Sequence, residues 1–249
     1  MTNIVMIGRG RRALTVQAIE SLYASTKRED FSLVFVHDCP PDEDFRVTKY
    51  LRSLTHSNFS LLDVGNSSHT LSRLKNIGVA WSEQRFGRGD FLHLGDSDVY
   101  FMPGWLDRMT AIAATSEIDA GFRLWGGQIH PFHQPIKQVA IDMTEHSILD
   151  GPSWFMRWDT WDLCGPLDRT TAPGACQSEE YGFCKRLTQG GIIKHWEEFG
   201  HEVTSCEGGR IGVIQPHVVI HTGLTQSNGN PAPGAVERRA LIPQGVIAE

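Results

Sequence analysis

Two carboxylates two residues apart, Asp96 and Asp98, end an apolar run in FLHLGDSDVYFMPGWL, residues 91 to 106. In an extended backbone, side chains at i and i+2 share a face, so both could reach one hard cation at the end of a buried strand. That is a metal-and-phosphate site in outline. The same triplet also makes a polar turn, because Asp and Ser readily bond their own backbone. A second candidate ligand is His221, at the end of His217-Val-Val-Ile-His221. A neutral imidazole there can ligate Mn²⁺ beside carboxylate oxygens, or bond to backbone. His217 is read as structural. His130 and His133 form an H-x-x-H in a Pro-containing loop with no third ligand, which points to acceptor-site or surface chemistry. Glu179 and Glu180 open a helix in the second half, where carboxylates are stabilised by the helix dipole by roughly 0.3–1 kcal/mol.

The elements that must position these groups alternate between strand and helix. Strands are expected at Asn3 to Ile7, Phe31 to Val36, Ser60 to Val64 and Phe91 to Leu94. Between them, Val16, Ile19, Leu22 and Tyr23, then Val47, Tyr50, Leu51 and Leu54, then Leu71, Leu74, Gly78 and Trp81 recur at helical spacing. Four strand–helix units imply a largely parallel sheet covered on both faces, with ligands beyond the carboxyl ends of the strands. Gly8, Asp38 and Asp96 all fall there. In the second half, strands are expected at Ala120 to Trp125, Gly151 to Arg157, Ile192 to Trp196 and His217 to His221. Helices are expected at Trp158 to Cys164 and from Ser178 to a Gly190-Gly191 stop, and Gly127 to Lys137 reads as a loop. Trp154, Phe155, Trp158 and Trp161 could stack on a sugar or base, although aromatics at this spacing usually build core. From Thr225 the composition shifts to Ser, Asn, Gly and Pro, as in a loop, a mobile arm or a lid.

Composition narrows the classes. A chain of 249 residues, 40% hydrophobic, can bury a substantial core, and one domain is the simplest reading. With 23 basic and 29 acidic residues the net charge is -6, so no global field draws nucleic acid or anionic membrane. The five cysteines show no C-x-x-C pair, and an odd count fits reduced thiols, hence a cytoplasmic protein. The amino terminus lacks the charge order of a signal peptide, and no apolar stretch approaches the ~20 residues of a membrane span.

The ordered set of Asp38, Lys75-Asn76, Asp96-Ser97-Asp98, Pro103-Gly104-Trp105, Gly165-Pro166-Leu167-Asp168, Ser178-Glu179-Glu180 with Lys185-Arg186 behind it, and His221 resembles nucleotide-sugar-dependent glycosyltransferases of the type-A fold, especially family 2. The resemblance runs from about residue 3 to residue 223. It implies a single α/β domain, Rossmann-like, over residues 1–224, with a nucleotide-binding half over 1–115, an acceptor and catalytic half over 116–224, and a tail over 225–249. It implies that Asp98 ligates Mn²⁺ or Mg²⁺, that Asp96 faces the ribose or the water shell of the metal, and that His221 completes the shell. A divalent cation there neutralises charge on the departing nucleoside diphosphate. Asp38 matches the acid that contacts base or ribose, and Arg9, Lys75 and Asn76 complete the expected donor-binding set. Lys75 stands where the family commonly has Arg, which keeps the charge but gives up bidentate phosphate contact. The acidic pair Glu179-Glu180 matches the position of the general base, with Glu180 in place of the usual Asp. The implied reaction moves a sugar, expected from a uridine diphosphate donor, to a hydroxyl acceptor with inversion. The acceptor could be a glycan, a lipid-linked intermediate, a protein or a modified nucleic-acid base.

Two other classes remain. Gly8-Arg9-Gly10-Arg11-Arg12-Ala13 fits G-x-G-x-x-A between a strand and a helix, and Asp38 ends the next strand, as in an NAD(P)-dependent oxidoreductase. Against this, three arginines crowd the turn, and Asp96, Asp98 and His221 go unused. A non-catalytic sugar- or nucleotide-binding module would keep Asp96 and Asp98 without turnover.

Overall fold

The computed structural model describes residues 1–38, 45–65, 69–127, 135–147, 149, 153–167, 178–189, 195–196, 201–202, 208–223, 239–240 and 242–247; of these, the side chains of 117–120, 178–181, 195–196 and 201–202 are not described. The first half runs β1 (Thr2–Gly8), α1 (Arg12–Ser25), β2 (Phe31–His37), α2 (Phe45–Ser53), β3 (Phe59–Asp63), α3 (Leu71–Phe86), β4 (Phe91–Asp96), β5 (Val99–Phe101) and α4 (Trp105–Ala120). The second half adds β6 (Phe122–Gly126), β7 (Lys137–Ala140), β8 (Met143–His146), β9 (Ser153–Arg157), α5 (Trp158–Cys164), α6 (Ser178–Gln189), β10 (His195–Trp196), β11 (His201–Glu202), β12 (Arg210–Ile214) and β13 (Val219–His221).

Nine strands form one sheet in the order β3-β2-β1-β4-β9-β6-β12-β8-β7. The pairs β3-β2, β2-β1 and β1-β4 are parallel, as the strand–helix alternation requires. β9 then runs antiparallel between β4 and β6, and the β7-β8 hairpin finishes the far edge. The order changes direction at β1, with β2 on one side and β4 on the other, and in open α/β sheets ligands bind beyond the carboxyl ends of the strands at such a switch point. Gly8 closes β1 and Ile7 is paired with Asp96, which puts the acidic triplet at that switch point.

Side chains alternate across the sheet into two cores. Ile4, Met6, Leu33 and Phe35 pack with Ala18 and Leu22 of α1, Leu51 of α2 and Trp105 and Met109 of α4. Val5, Ile7, Val34, Val36, Leu92 and Leu94 pack on the other face with Leu74 of α3, Trp158 of α5 and Phe183 of α6. Helix α3 comes close: a Cβ on Gly78 would lie 2.5 Å from Val5 Cγ1 and 2.7 Å from Val36 Cγ2. Of the aromatics considered for stacking, Trp154, Phe155 and Trp158 are buried core, and Trp161 stacks on Phe183 with ring centroids 6.2 Å apart. At the amino-terminal edge, buried Asn3 donates to Ser32 Oγ, Ser82 Oγ and Gly87 O and accepts from Gly89 N and Trp158 Nε1, joining β1, β2, α3 and α5.

Several boundaries differ from expectation. Helix α4 is absent from the sequence reading, yet Trp105, Met109, Ile112 and Ala113 are buried at spacings of four, three and one. β12 and the β7-β8 hairpin are likewise additions to it. The strand expected over 217–221 is confined to Val219–His221, and that expected over 192–196 is described only at His195–Trp196. Residues 224–238, most of the expected tail, and His130 and His133 lie outside the described residues. The segment 242–247 is docked on α1, where Gln17 Nε2 donates to Ile247 O at 3.0 Å and Ile247 N donates to Gln17 Oε1 at 2.7 Å. No helix among the described residues is long and apolar enough to cross a membrane.

Candidate functional site

The chain bends at Ser97-Asp98 after β4 and re-enters an extended course as β5, which pairs antiparallel with β13. His221 is opposite Val99, and Thr222 N donates to Asp98 O at 2.7 Å, so this short ladder brings a histidine distant in sequence to the acidic triplet. His221 Nε2 lies 3.2 Å from Asp98 Oδ2. Gly223 follows two residues after His221, and a Cβ there would run into Asp98 Oδ2 and lie 2.9 Å from Arg11 Nη1.

The third member of the cluster comes from the β1–α1 turn. Gly10 and Arg11 have φ of 67° and 49°, an uncommon backbone for a non-glycine residue. Thr15 fixes the turn, its Oγ1 donating to Gly10 O at 3.1 Å and its N to Arg11 O at 3.0 Å. From there Arg11 Nη1 reaches Asp98 Oδ2 at 2.8 Å. Gly8 lies beneath, where a Cβ would sit 2.8 Å from Ser97 Oγ, so glycine lets the turn approach the triplet.

The two carboxylates therefore meet different cations. Asp98 is engaged by Arg11 and His221, whereas Asp96 Oδ1 lies 4.0 Å from Lys75 Nζ of α3. Their electrostatics diverge accordingly. Burial raises Asp98, but the charge and hydrogen bond of His221, and then the charge of Arg11, outweigh it and hold the carboxyl at about 2. Burial and the neighbouring Asp98 charge push Asp96 upward against the pull of Lys75, His221 and Arg11. Neighbouring carboxylates pushed in opposite directions recur at working sites.

The other expected residues surround this centre. Asp38 is buried directly after β2, with its N donating to Gly8 O at 3.1 Å. Lys75 is buried, its ammonium 5.9 Å from the Trp154 ring centroid. Asn76 donates from Nδ2 to Leu167 O at 3.0 Å and accepts from Leu167 N at 2.9 Å, clamping the segment after α5 to α3. Arg9 is exposed at the mouth of the turn. The side chains of Glu179 and Glu180 lie outside the described residues, as does Asp168, although the backbone of both glutamates belongs to α6. Arg11 as the partner of Asp98 and Gly223 as the wall beside it are not expected from the sequence. A glycine two residues after a candidate ligand was the one signal for the second.

The architecture has counterparts among solved structures. Staphylococcus aureus TarS 1–349 superimposes with a TM-score of 0.53 at 13% identity, over 85% of this chain and 60% of that one. The chain has the type-A glycosyltransferase fold. The same TarS segment in complex with UDP-GlcNAc gives a TM-score of 0.52 at 15% identity, over 86% of this chain and 58% of that one. A Pyrobaculum calidifontis mannosyltransferase, PcManGT, in complex with GDP-Man and Mn²⁺, gives 0.51 at 12% identity, over 85% and 56%. This chain thus spans about three fifths of the length of the structures sharing its fold. No protein-family model matches the sequence, and no curated protein matches it.

The donor set fits a hard or borderline divalent cation. Asp98 offers carboxylate oxygen and His221 imidazole nitrogen on one small patch, and Gly223 leaves it uncovered where a side chain would fill it. No group of three or more His, Cys, Asp or Glu among the described residues could hold a metal ion. Two protein ligands are few, which suits a cation whose remaining positions go to water and phosphate oxygens.

Proposed function

We propose that the chain is a metal-dependent glycosyltransferase that moves a sugar from a nucleotide-sugar donor, a uridine diphosphate sugar, to a hydroxyl acceptor with inversion. The observation that carries the reading is the Asp98–His221 pair at the switch point of a type-A fold. Complexes of similar structures with UDP-GlcNAc, and with GDP-Man and Mn²⁺, support it. Asp98 and His221 would hold Mn²⁺ or Mg²⁺, with Asp96 facing its water shell or the ribose. When bound, that cation supplies charge neutralisation for the departing nucleoside diphosphate.

The chain's own residues do the rest. Asp38, buried at the end of β2, takes hydrogen bonds from base or ribose. Lys75 and Arg9 supply positive charge toward the diphosphate, and Asn76 keeps α3 in register with the segment after α5. Glu180, with Glu179 beside it, accepts the proton of the acceptor hydroxyl as that oxygen attacks the face opposite the leaving group. A glutamate carboxyl ordinarily titrates at about 4.3, so it is ionised at neutral pH, as a base must be. A cytoplasmic setting belongs to the same proposal, on the odd and unspaced set of five cysteines.

The test is release of nucleoside diphosphate from a panel of nucleotide sugars with Mn²⁺, followed by proton NMR of fresh product. Glu180→Gln should lose turnover by ~10²–10⁴-fold while still binding donor, and Glu179→Gln should lose less. An anomeric coupling showing the donor's own configuration removes the inversion and the role of Glu180. No nucleoside diphosphate release with any donor and acceptor leaves a binding module.

A further inference from the structure

Asp98 Oδ2, the oxygen that the proposed function gives to a divalent cation, already carries a guanidinium. Arg11 Nη1 lies 2.8 Å away and His221 Nε2 lies 3.2 Å away on the same atom. The Asp98 and Arg11 side chains are 15% and 29% exposed, so solvent screens the pair only in part. The contact is built from the backbone up: a left-handed Arg11, a left-handed Gly10 and two bonds from Thr15 hold the turn that delivers the guanidinium. A left-handed non-glycine residue is unfavourable by itself and persists where surrounding structure fixes it.

A divalent cation arriving at Asp98 meets a positive charge at hydrogen-bond distance from its ligand, so cation and guanidinium compete for one oxygen. A nucleoside diphosphate changes the balance, because its phosphate oxygens are bidentate acceptors for arginine. Resting on the metal role proposed for Asp98 and His221, we infer that Arg11 is an exchangeable counter-ion: it occupies Asp98 while the donor is absent and moves to the donor diphosphate as metal takes the carboxylate. The exchange makes metal and nucleotide bind cooperatively, each raising the affinity of the other by the same factor. It also disfavours metal binding before the donor is present. Arg11 is thus a positioning residue that couples the two halves of the donor complex.

Mn²⁺ titrations of the whole chain, followed by the EPR signal of the free ion with and without saturating UDP, test this directly. The proteins compared are the wild type, Arg11→Gln, Arg11→Gly and Asp98→Asn; glycine removes the guanidinium and relieves the left-handed turn. Both Arg11 variants should bind Mn²⁺ alone about tenfold more tightly than the wild type, and the enhancement of Mn²⁺ binding by UDP should shrink by a similar factor. Asp98→Asn should abolish the site. If Asp98→Asn removes Mn²⁺ binding while both Arg11 variants bind Mn²⁺ alone no more tightly than the wild type, the exchange is overturned and the metal site stands. If Asp98→Asn leaves Mn²⁺ binding unchanged, the metal reading falls and the exchange falls with it.

Discussion

Replacing Gly223 with alanine adds one carbon at the most crowded point of the site. Its Cβ would overlap Asp98 Oδ2 and lie 2.9 Å from Arg11 Nη1 and 3.0 Å from Asp98 Cγ, well inside the ~3.5–4.0 Å optimum for non-bonded heavy atoms. Relief requires the carboxylate to move by roughly 1 Å, which takes the 2.8 Å bond from Arg11 and the 3.2 Å contact with His221 out of hydrogen-bond range. Each such charge-assisted bond contributes ~1.5–3 kcal/mol when buried, and partial exposure reduces that. Gly223→Ala should therefore destabilise the fold by about 1–3 kcal/mol in urea unfolding. A displacement of that size at a ligand should also lower Mn²⁺-dependent nucleoside diphosphate release by ~10²-fold. Gly87→Ala is the control: its φ of 74° and ψ of 178° lie in a region essentially confined to glycine, with nothing within 4 Å, so backbone strain alone should lower stability by ~1–3 kcal/mol and leave turnover unchanged. Wild-type stability and turnover in Gly223→Ala would refute the steric and electrostatic account of the cluster.

The same packing logic applies at Gly78, where an added methyl meets Val5 and Val36 and α3 must lift from the sheet. Gly78→Ala should lose about 1–3 kcal/mol despite the better helix propensity of alanine, and a gain in stability by urea unfolding would contradict the contact distances. His93 is buried between Phe101 and Trp105, shares a hydrogen bond with Ser153, and is pushed down to about 3 by burial. Its folded pKa lies below its unfolded value near 6.5, so its stabilising contribution is present above pH 6.5 and is lost as pH falls from there toward 3; the wild type should lose about 2 kcal/mol more than His93→Gln between pH 6.5 and 5. Parallel stability–pH curves for the two proteins would show that burial of His93 is not what sets acid lability.

What the sequence disclosed was governed by local rules. Apolar runs bounded by turn residues sufficed for β1 to β4, and the rule for parallel sheets put Asp38 and Asp96 at the correct edge. Helix α4 carried a readable period in Trp105, Met109 and Ile112, but it followed directly on an apolar strand and a Pro-Gly turn, which masked its start. The short β7, β8 and β12 depend on pairing with each other and with β6, information that no single segment holds. Asp98 and His221 could be named from their chemistry, yet their meeting is made by the β5–β13 ladder, across 122 intervening residues. In a straight strand Asp96 and Asp98 would share a face, but the bend at Ser97 gives them separate cationic partners. Arg11 was invisible because its reach depends on a left-handed backbone that sequence rules assign to glycine.

The proposed chemistry stands or falls with Asp98 and His221 holding a divalent cation together with a nucleoside diphosphate. Pulsed EPR of the Mn²⁺–UDP complex reads this without turnover, since a directly coordinated imidazole gives a nitrogen coupling to the metal. The wild type should show that coupling, His221→Ala should lose it while retaining Mn²⁺ more weakly, and Asp98→Asn should bind too little Mn²⁺ to give a signal. A wild-type complex without nitrogen coupling, or one whose coupling survives in His221→Ala, would contradict the assignment.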